Sequence, residues 1–450
     1  MTNEKVKVKC LGMNEEGKGI IKFKGKEIYV PYLMEQENAL VEVIQKRNFI
    51  NAKVINIEEP SKNRVKPKCP YFYKCGGCHL QHMSYKAQLE FKQNSVSKLL
   101  GRYHKVNNIL GMKEPYFYRN KIHSTVAYDG KGKIISGIYE ENTHNVINID
   151  KCIIQDSQGD KIIASILELM KDFKMKPYEE DTGRGFLRHI LIKRGFSTNE
   201  IMVVLIVSSQ VFPSKNNFKN ALLQKHPEIT TIVMNINNRK TSVVLGNTEK
   251  VLYGKGYIED TLCGCTFQIS PKSFYQINPI QTEVLYNKAI DMAKLTGKEV
   301  VLDAYCGIGT ISLIASKKAK NVIGVELNKD AVKDAIKNAK RNNITNTYFY
   351  NDDAGDYMVG LSKTKEKIHT VFMDPPRSGS DEKFLSSLIR LAPKQVIYIS
   401  CNPITQERDL RYLTKYGYMV KEIQPVDMFP QTWHVETIIL MTRCGSDDKK

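Results

Sequence analysis

At 450 residues the chain exceeds one ordinary domain of roughly 100–200 residues, so two or three domains are expected. Its 42% hydrophobic and 26% charged residues fit a globular protein, enzyme or binding module alike, and no apolar run approaches the roughly 20 residues of a membrane span. The net charge of +19 favours a polyanionic partner, with RNA, DNA and anionic membrane surfaces all compatible at this level.

In chain order, MTNEKVKVKC has charges but no apolar core behind them, so it is not read as a signal peptide. Ten cysteines without a secretion signal then imply a reducing, cytoplasmic setting, where clustered cysteines bind metal or do chemistry more often than they form disulfides. Residues 1–60 alternate apolar and polar side chains in short runs with Gly17, Gly19 and Gly25 near the turns, which predicts a small antiparallel β-barrel. Residues 60–78 lack periodicity and read as a linker entering a metal-binding loop. Leu89, Val96, Leu99 and Leu100 recur at helical spacing within 85–103, a helix that could pack on the C-terminal domain. Mixed strand and helix patterns fill the rest of a central α+β domain, 61–270, and the β-branched run Ile201–Val207 reads as a buried strand. From 271 to 450 strands alternate with helices: helix 282–295, strand EVVLDAYC, helix 310–318, strand NVIGVEL, helix Lys329–Arg341, then HTVFMDPP, QVIYISCNP and a final strand pair. That alternation predicts a parallel, doubly wound, Rossmann-like α/β domain.

Within LDAYCGIGT, a strand enters a tight turn at Gly307 and Gly309, where a missing Cβ lets a ligand approach the backbone. Glu326 closes the next strand, where an acidic side chain accepts hydrogen bonds from ribose hydroxyls. The third glycine and the phosphate-binding helix start of a nicotinamide enzyme are missing. A cofactor with ribose but no phosphates, such as S-adenosylmethionine, fits better. Asp353 follows the YFY strand, at the place of an adenine contact, and Asp374 opens DPPR at another strand end. Open sheets bind ligands at such carboxyl ends.

Cys401 follows the apolar strand 396–399, next to the strand that leads to Asp374, so its sulfur should face the donor methyl. Most strand-end cysteines are merely small buried hydrophobes. Carbon 5 of uracil, however, becomes nucleophilic only after a thiolate adds at carbon 6, whereas methylation of an exocyclic amine needs no cysteine. The Pro-Pro-aromatic motif of amine methylation is absent, since Arg377 follows the prolines. In WHVE, either His434 or Glu436 could then remove the C5 proton.

Five residues separate Cys69 from Cys75 and two separate Cys75 from Cys78; with Cys152 they supply four thiolates, which suit tetrahedral zinc or a [4Fe–4S] cluster equally. In YFYRNK and the following histidine, Arg119, Lys121 and His123 interleave with aromatics, a pattern for stacking bases while neutralising phosphates, or else the solvated face of a strand.

Taken together, LDAYCGIG, DPPR, SCNP and WHVE make the chain resemble the bacterial RNA uracil-C5 methyltransferases over nearly its whole length. The resemblance implies that Cys401 is the nucleophile and Glu436 the base, and that Gln276, Tyr305, Glu326, Asp353 and Asp374 contact S-adenosylmethionine. It implies a [4Fe–4S] cluster on Cys69, Cys75, Cys78 and Cys152, and a TRAM domain, an OB-like RNA-binding barrel, over residues 1–60. It also implies 23S rRNA as substrate and a monomer acting off the membrane. The competing expectations are a tRNA uracil methyltransferase and a non-catalytic RNA-binding or assembly protein; the latter would need neither Cys401 nor Glu436.

Overall fold

The computed structural model describes residues 2–46, 49–140, 143, 145–240, 243–364 and 366–445. At the N-terminus, strands Thr2–Lys9, Asn38–Lys46 and Phe49–Glu59 form one antiparallel sheet and Gly12–Met13, Gly19–Phe23 and Lys26–Val30 a second. Alternation along these strands sends Ile21, Ile28, Val30, Val41 and Val43 into one shared core with Leu33 and Ala52. Gly19 is required by close approach: a Cβ there would lie 2.6 Å from the Leu33 carbonyl oxygen.

The segment read as a linker is packed instead. It carries a short helix, Phe72–Cys75, with Phe72 buried, and Arg64 forms an ion pair with the fully buried Glu37. Prolines and lysines hid this, because the buried partners, Glu37 before the segment and Met112, Tyr118 and Ile154 after it, lie outside the segment and its own periodicity. Ser84 caps the helix Tyr85–Leu100, accepting from the Ala87 amide. Val96 and Leu100 of that helix share a core with Leu410, Leu413 and Ile423 near the C-terminus. Beyond it, Val106 and Leu110 bridge in parallel to Ile423 and Val426, covering the outer edge of the last sheet.

A central seven-stranded sheet runs in the order Thr248–Tyr253, Ile229–Ile236, Ile201–Val207, Leu187–Arg194, Lys121–Tyr128, Ile134–Tyr139, Val146–Asn148. Helices Ser157–Asp172 and Lys215–Lys225 cover one face through Ile162, Ile166, Phe218 and Leu222. On the other face Leu191, Met202, Val204 and Ile206 share a core with Phe267, Tyr286 and Ile397 of the C-terminal region. Ile201–Val207 is therefore buried on both faces, which is why it reads as an unbroken apolar run.

The C-terminal sheet has the order Thr347–Asn351, Asn321–Glu326, Val300–Asp303, Thr370–Met373, Gln395–Ser400, Glu436–Arg443, Tyr418–Val426. Its first five strands are parallel and its last two pair antiparallel. The order reverses between Val300–Asp303 and Thr370–Met373, so the crevice of a doubly wound sheet opens above those strands. The strand expected to run through DAYC ends at Asp303, and residues 304–309 form the turn. No helix among the described residues is long and apolar enough to cross a membrane.

Candidate active site

The glycine turn is held by the carboxylate beyond it. The Gly307 amide donates to Glu326 Oε2 at 3.1 Å and the Asn328 amide to Oε1 at 2.7 Å, so Glu326 spans the crevice floor. Gly309, at φ 84°, opens the helix Thr310–Ser316; a Cβ there would lie 2.9 Å from the Phe349 ring. Tyr305 places its hydroxyl 3.4 Å from Ser380 Oγ and its ring 5.2 Å from that of Phe384. Asp353 caps the helix Ala354–Leu361, accepting from the amides of Gly355 and Asp356 and facing Lys383 at 3.7 Å. The carboxylate expected to contact adenine thus has structural work of its own.

Gln276 lies in the loop before helix Pro279–Ala293, and the central sheet fixes that loop. Asn120 Nδ2 donates to the Gln276 carbonyl at 3.0 Å, and buried Lys193 donates to the carbonyls of Ser270 and Ser273, each at 2.8 Å. The Tyr286 hydroxyl, fully buried on the same helix, hydrogen-bonds the Gln276 and Thr310 side chains. Nothing in the helical pattern distinguished Tyr286 from an ordinary core aromatic.

Ser400 pairs with Thr437 at the end of the antiparallel ladder, so Cys401 comes opposite Glu436, while Asp374 ends the strand on its other side. Burial, then the negative charges of Glu436 and Asp374, push the Cys401 thiol up to about 11; Arg377, which hydrogen-bonds the sulfur, opposes them. Burial and the neighbouring Asp374 hold the Glu436 carboxyl well above the usual carboxylate range, and Arg377 again pulls the other way. Asp374 is raised by burial and by Asp303. Among the described residues, Oε2 of Glu436 and Oδ1 of Asp303 are buried without a hydrogen-bond partner. His434 lies against Trp433, ring centroids 3.9 Å apart, and burial with the cations Arg377 and Lys92 and the neighbouring His79 lowers it to about 4. It is therefore neutral and weakly basic. Arg377 had registered in the sequence only as a missing aromatic.

Cys69, Cys75, Cys78 and Cys152 line one cavity of about 450 Å³, together with Arg119, Lys121 and His123. Burial and the three neighbouring thiols push Cys78 up to about 12. Among the described residues, no group of three His, Cys, Asp or Glu side chains is arranged to hold a metal ion. The four sulfurs thus line one cavity without closing into a coordination shell. Arg119 sits beside Cys75, Lys121 is exposed, and His123 packs 4.9 Å from the His189 ring, where burial lowers it to about 4. His123 therefore contributes an aromatic face and no positive charge at neutral pH.

These features define a doubly wound α/β domain with a glycine turn held by an acidic side chain and a strand-end thiol beside a buried acid. The chain belongs to the tRNA (Uracil-5-)-methyltransferase family, whose model matches residues 84–444. An uncharacterized RNA methyltransferase of Listeria monocytogenes is 41% identical over 444 residues, 98% of each chain. One of Clostridium tetani is 43% identical over 444 residues, 98% of this chain and 96% of its own. The crystal structure of Pyrococcus abyssi tRNA (uracil-54, C5)-methyltransferase in complex with S-adenosyl-L-homocysteine superposes with a TM-score of 0.79 at 26% identity, covering 97% of this chain and all of that one.

Proposed function

We propose that this chain methylates C5 of a uracil in RNA, using S-adenosylmethionine, with Cys401 as nucleophile and Glu436 as general base. The observation that carries the reading is the strand register that sets Cys401 opposite Glu436 with Asp374 alongside. The Cys401 thiolate bonds to C6, and the electron pair of the C5–C6 double bond moves onto C5 and O4 as an enolate. The cofactor supplies an electrophilic methyl group on a sulfonium. After C5 takes the methyl, Glu436 removes the C5 proton, the double bond re-forms and the C6–S bond breaks, releasing the cysteine. Arg377 favours both ionised forms, the thiolate and the carboxylate, against a buried acidic surrounding. His434, held near 4, is the weaker base of the two. Gln276, Tyr305, Gly307, Glu326, Asp353 and Asp374 form the cofactor crevice in this reading, and a paired target base must flip out, at a cost of a few kcal/mol, to reach the recessed sulfur.

Four sulfurs lining one cavity suit a [4Fe–4S] cluster, which would order the segment around Cys69–Cys152 and supply no electron to methyl transfer. Arg119, Lys121 and the N-terminal sheets, read as a TRAM barrel, would contact RNA. We take 23S rRNA as the substrate on the four-cysteine set, whose spacing resembles that of the ribosomal members of the family. A tRNA is the second reading, favoured by the archaeal neighbour, whose match to 97% of this chain is too extensive to leave out a sixty-residue domain. The N-terminal domain therefore does not separate the two substrates. Mass-spectrometric mapping of 5-methyluridine in 23S rRNA and tRNA from a deletion strain decides between them. Loss from neither RNA would overturn the function.

A further inference from the structure

We propose that Lys92 and Asp427 are positioning residues for the proton-removal step, and that the helix Tyr85–Leu100, although outside the doubly wound sheet, mounts the loop 427–435 that leads into Glu436. Both side chains are fully buried, and Lys92 Nζ lies 2.5 Å from Asp427 Oδ1 while also donating to the Phe429 carbonyl at 3.1 Å. From two turns earlier in the helix, the Tyr85 hydroxyl donates to Asp427 Oδ2 at 2.8 Å and accepts from the Met112 amide. Gln88 pairs twice with Gln431, donating to its Oε1 and accepting from its amide, each at 3.0 Å. Gln431 has φ 72°, a conformation that an ordinary residue holds only when its surroundings impose it. The other wall of the loop is gripped as well: Tyr118 donates to the Pro430 carbonyl, Asn278 to that of Met428 and Gln281 to that of Asp427, at 3.0, 2.9 and 3.0 Å.

Connecting segments ordinarily run over the surface, where water satisfies them. This one is sunk in protein and satisfied by side chains chosen for it. A buried ion pair is poor support for stability, since apolar residues of similar volume serve as well or better, so its presence points to a demand for position. The demand is visible three residues after Trp433, where Glu436 must meet a proton on C5 to within a fraction of an ångström.

The inference rests on the roles of Cys401 and Glu436 given above. The test uses full-length protein carrying Lys92→Met together with Asp427→Leu, which removes both charges and keeps the volume. The expected melting temperature is close to wild type, and covalent addition to RNA proceeds at close to the wild-type rate. Release of methylated RNA slows on the order of 10–100-fold, so that the protein–RNA adduct accumulates on ordinary RNA. Tyr85→Phe, which deletes one hydroxyl, should give the same split in smaller measure. A double variant that releases product at the wild-type rate overturns the proposal, as does equal slowing of addition and release in either variant. An adduct between wild type and 5-fluorouridine RNA tests the Cys401 reading separately, so its failure is distinguishable from failure of the positioning claim.

Discussion

Cys401 follows the last pair of the strand ladder, Ser400–Thr437, and lies close enough to Glu436 for the carboxylate's charge to raise its thiol, although the two are joined in sequence only through a helix, a strand and a buried loop. Neighbours opposite each other on one face of an antiparallel pair have Cβ atoms about 4.5–5.5 Å apart, which is room for a single pyrimidine edge to meet both groups.

That relationship predicts two trapped species. RNA with 5-fluorouridine at the target should be methylated and never released by wild type, because fluorine cannot leave as a cation. Cys401→Ala should form no adduct, whereas Glu436→Gln should add and methylate, then stall on ordinary uracil. Denaturing gels resolve the adducts; full turnover by Cys401→Ala would end the covalent mechanism.

The pH dependence follows from the same groups. Cys401 is pushed up to about 11 and Glu436 is also raised, and each acts only after losing its proton. Activity should therefore be lost as pH falls and kcat/KM should still be climbing between about pH 7 and 9. Arg377→Met removes the cation opposing both shifts and should move the rising limb to higher pH. A profile flat across that window contradicts the assignment.

Glu326→Ala should weaken S-adenosylmethionine binding by ~1–3 kcal/mol, since it removes the proposed ribose acceptor and leaves the Gly307 and Asn328 amides without their partner. RNA affinity should persist. Calorimetry giving the wild-type cofactor affinity would remove Glu326 from the crevice.

Removing residues 1–60 should do more than weaken RNA binding. Met13 and Met34 of the N-terminal sheets pack with Leu80, Met83, Phe91 and Trp433, so truncation bares a surface next to the catalytic loop and strips Arg64 of Glu37. The single change Glu37→Gln should cost about 3–5 kcal/mol in denaturant titrations. Burial alone would raise the Glu37 carboxyl, but hydrogen bonds from Arg64 and the Met34 and Ser61 amides hold it below its ordinary value. Its contribution is therefore fully present above the unfolded-state carboxylate range and is lost as pH falls from there through the lowered folded-state value. A truncated protein with unchanged stability and turnover would show that the packing is incidental.

Anaerobically purified protein should be brown, with about four irons per chain and a broad absorbance near 400 nm. Cys78→Ser should lower the iron content. A colourless protein with one zinc would assign the four cysteines differently.

Local pattern carried the reading a long way. The helix Lys329–Arg341, the buried strand Ile201–Val207 and the glycine turn at 307–309 are legible because backbone geometry imposes periods of 3.6 and 2 and singles out glycine at positive φ. The roles proposed for Cys401 and the acid in WHVE come from chemistry and not from pattern, because methylation of uracil C5 demands such groups whatever fold presents them. Lys92 was not legible: by pattern it is one more lysine on a helix, and it is buried only because Asp427 arrives from 335 residues away. Arg377 over the thiol, Tyr286 behind Gln276 and the packed segment after residue 60 share that character. Hydrogen-bonding period and turn chemistry are properties of neighbouring residues, and the sequence by itself determined those; which charges are buried and paired depends on contacts between distant elements, and only the tertiary structure decided them.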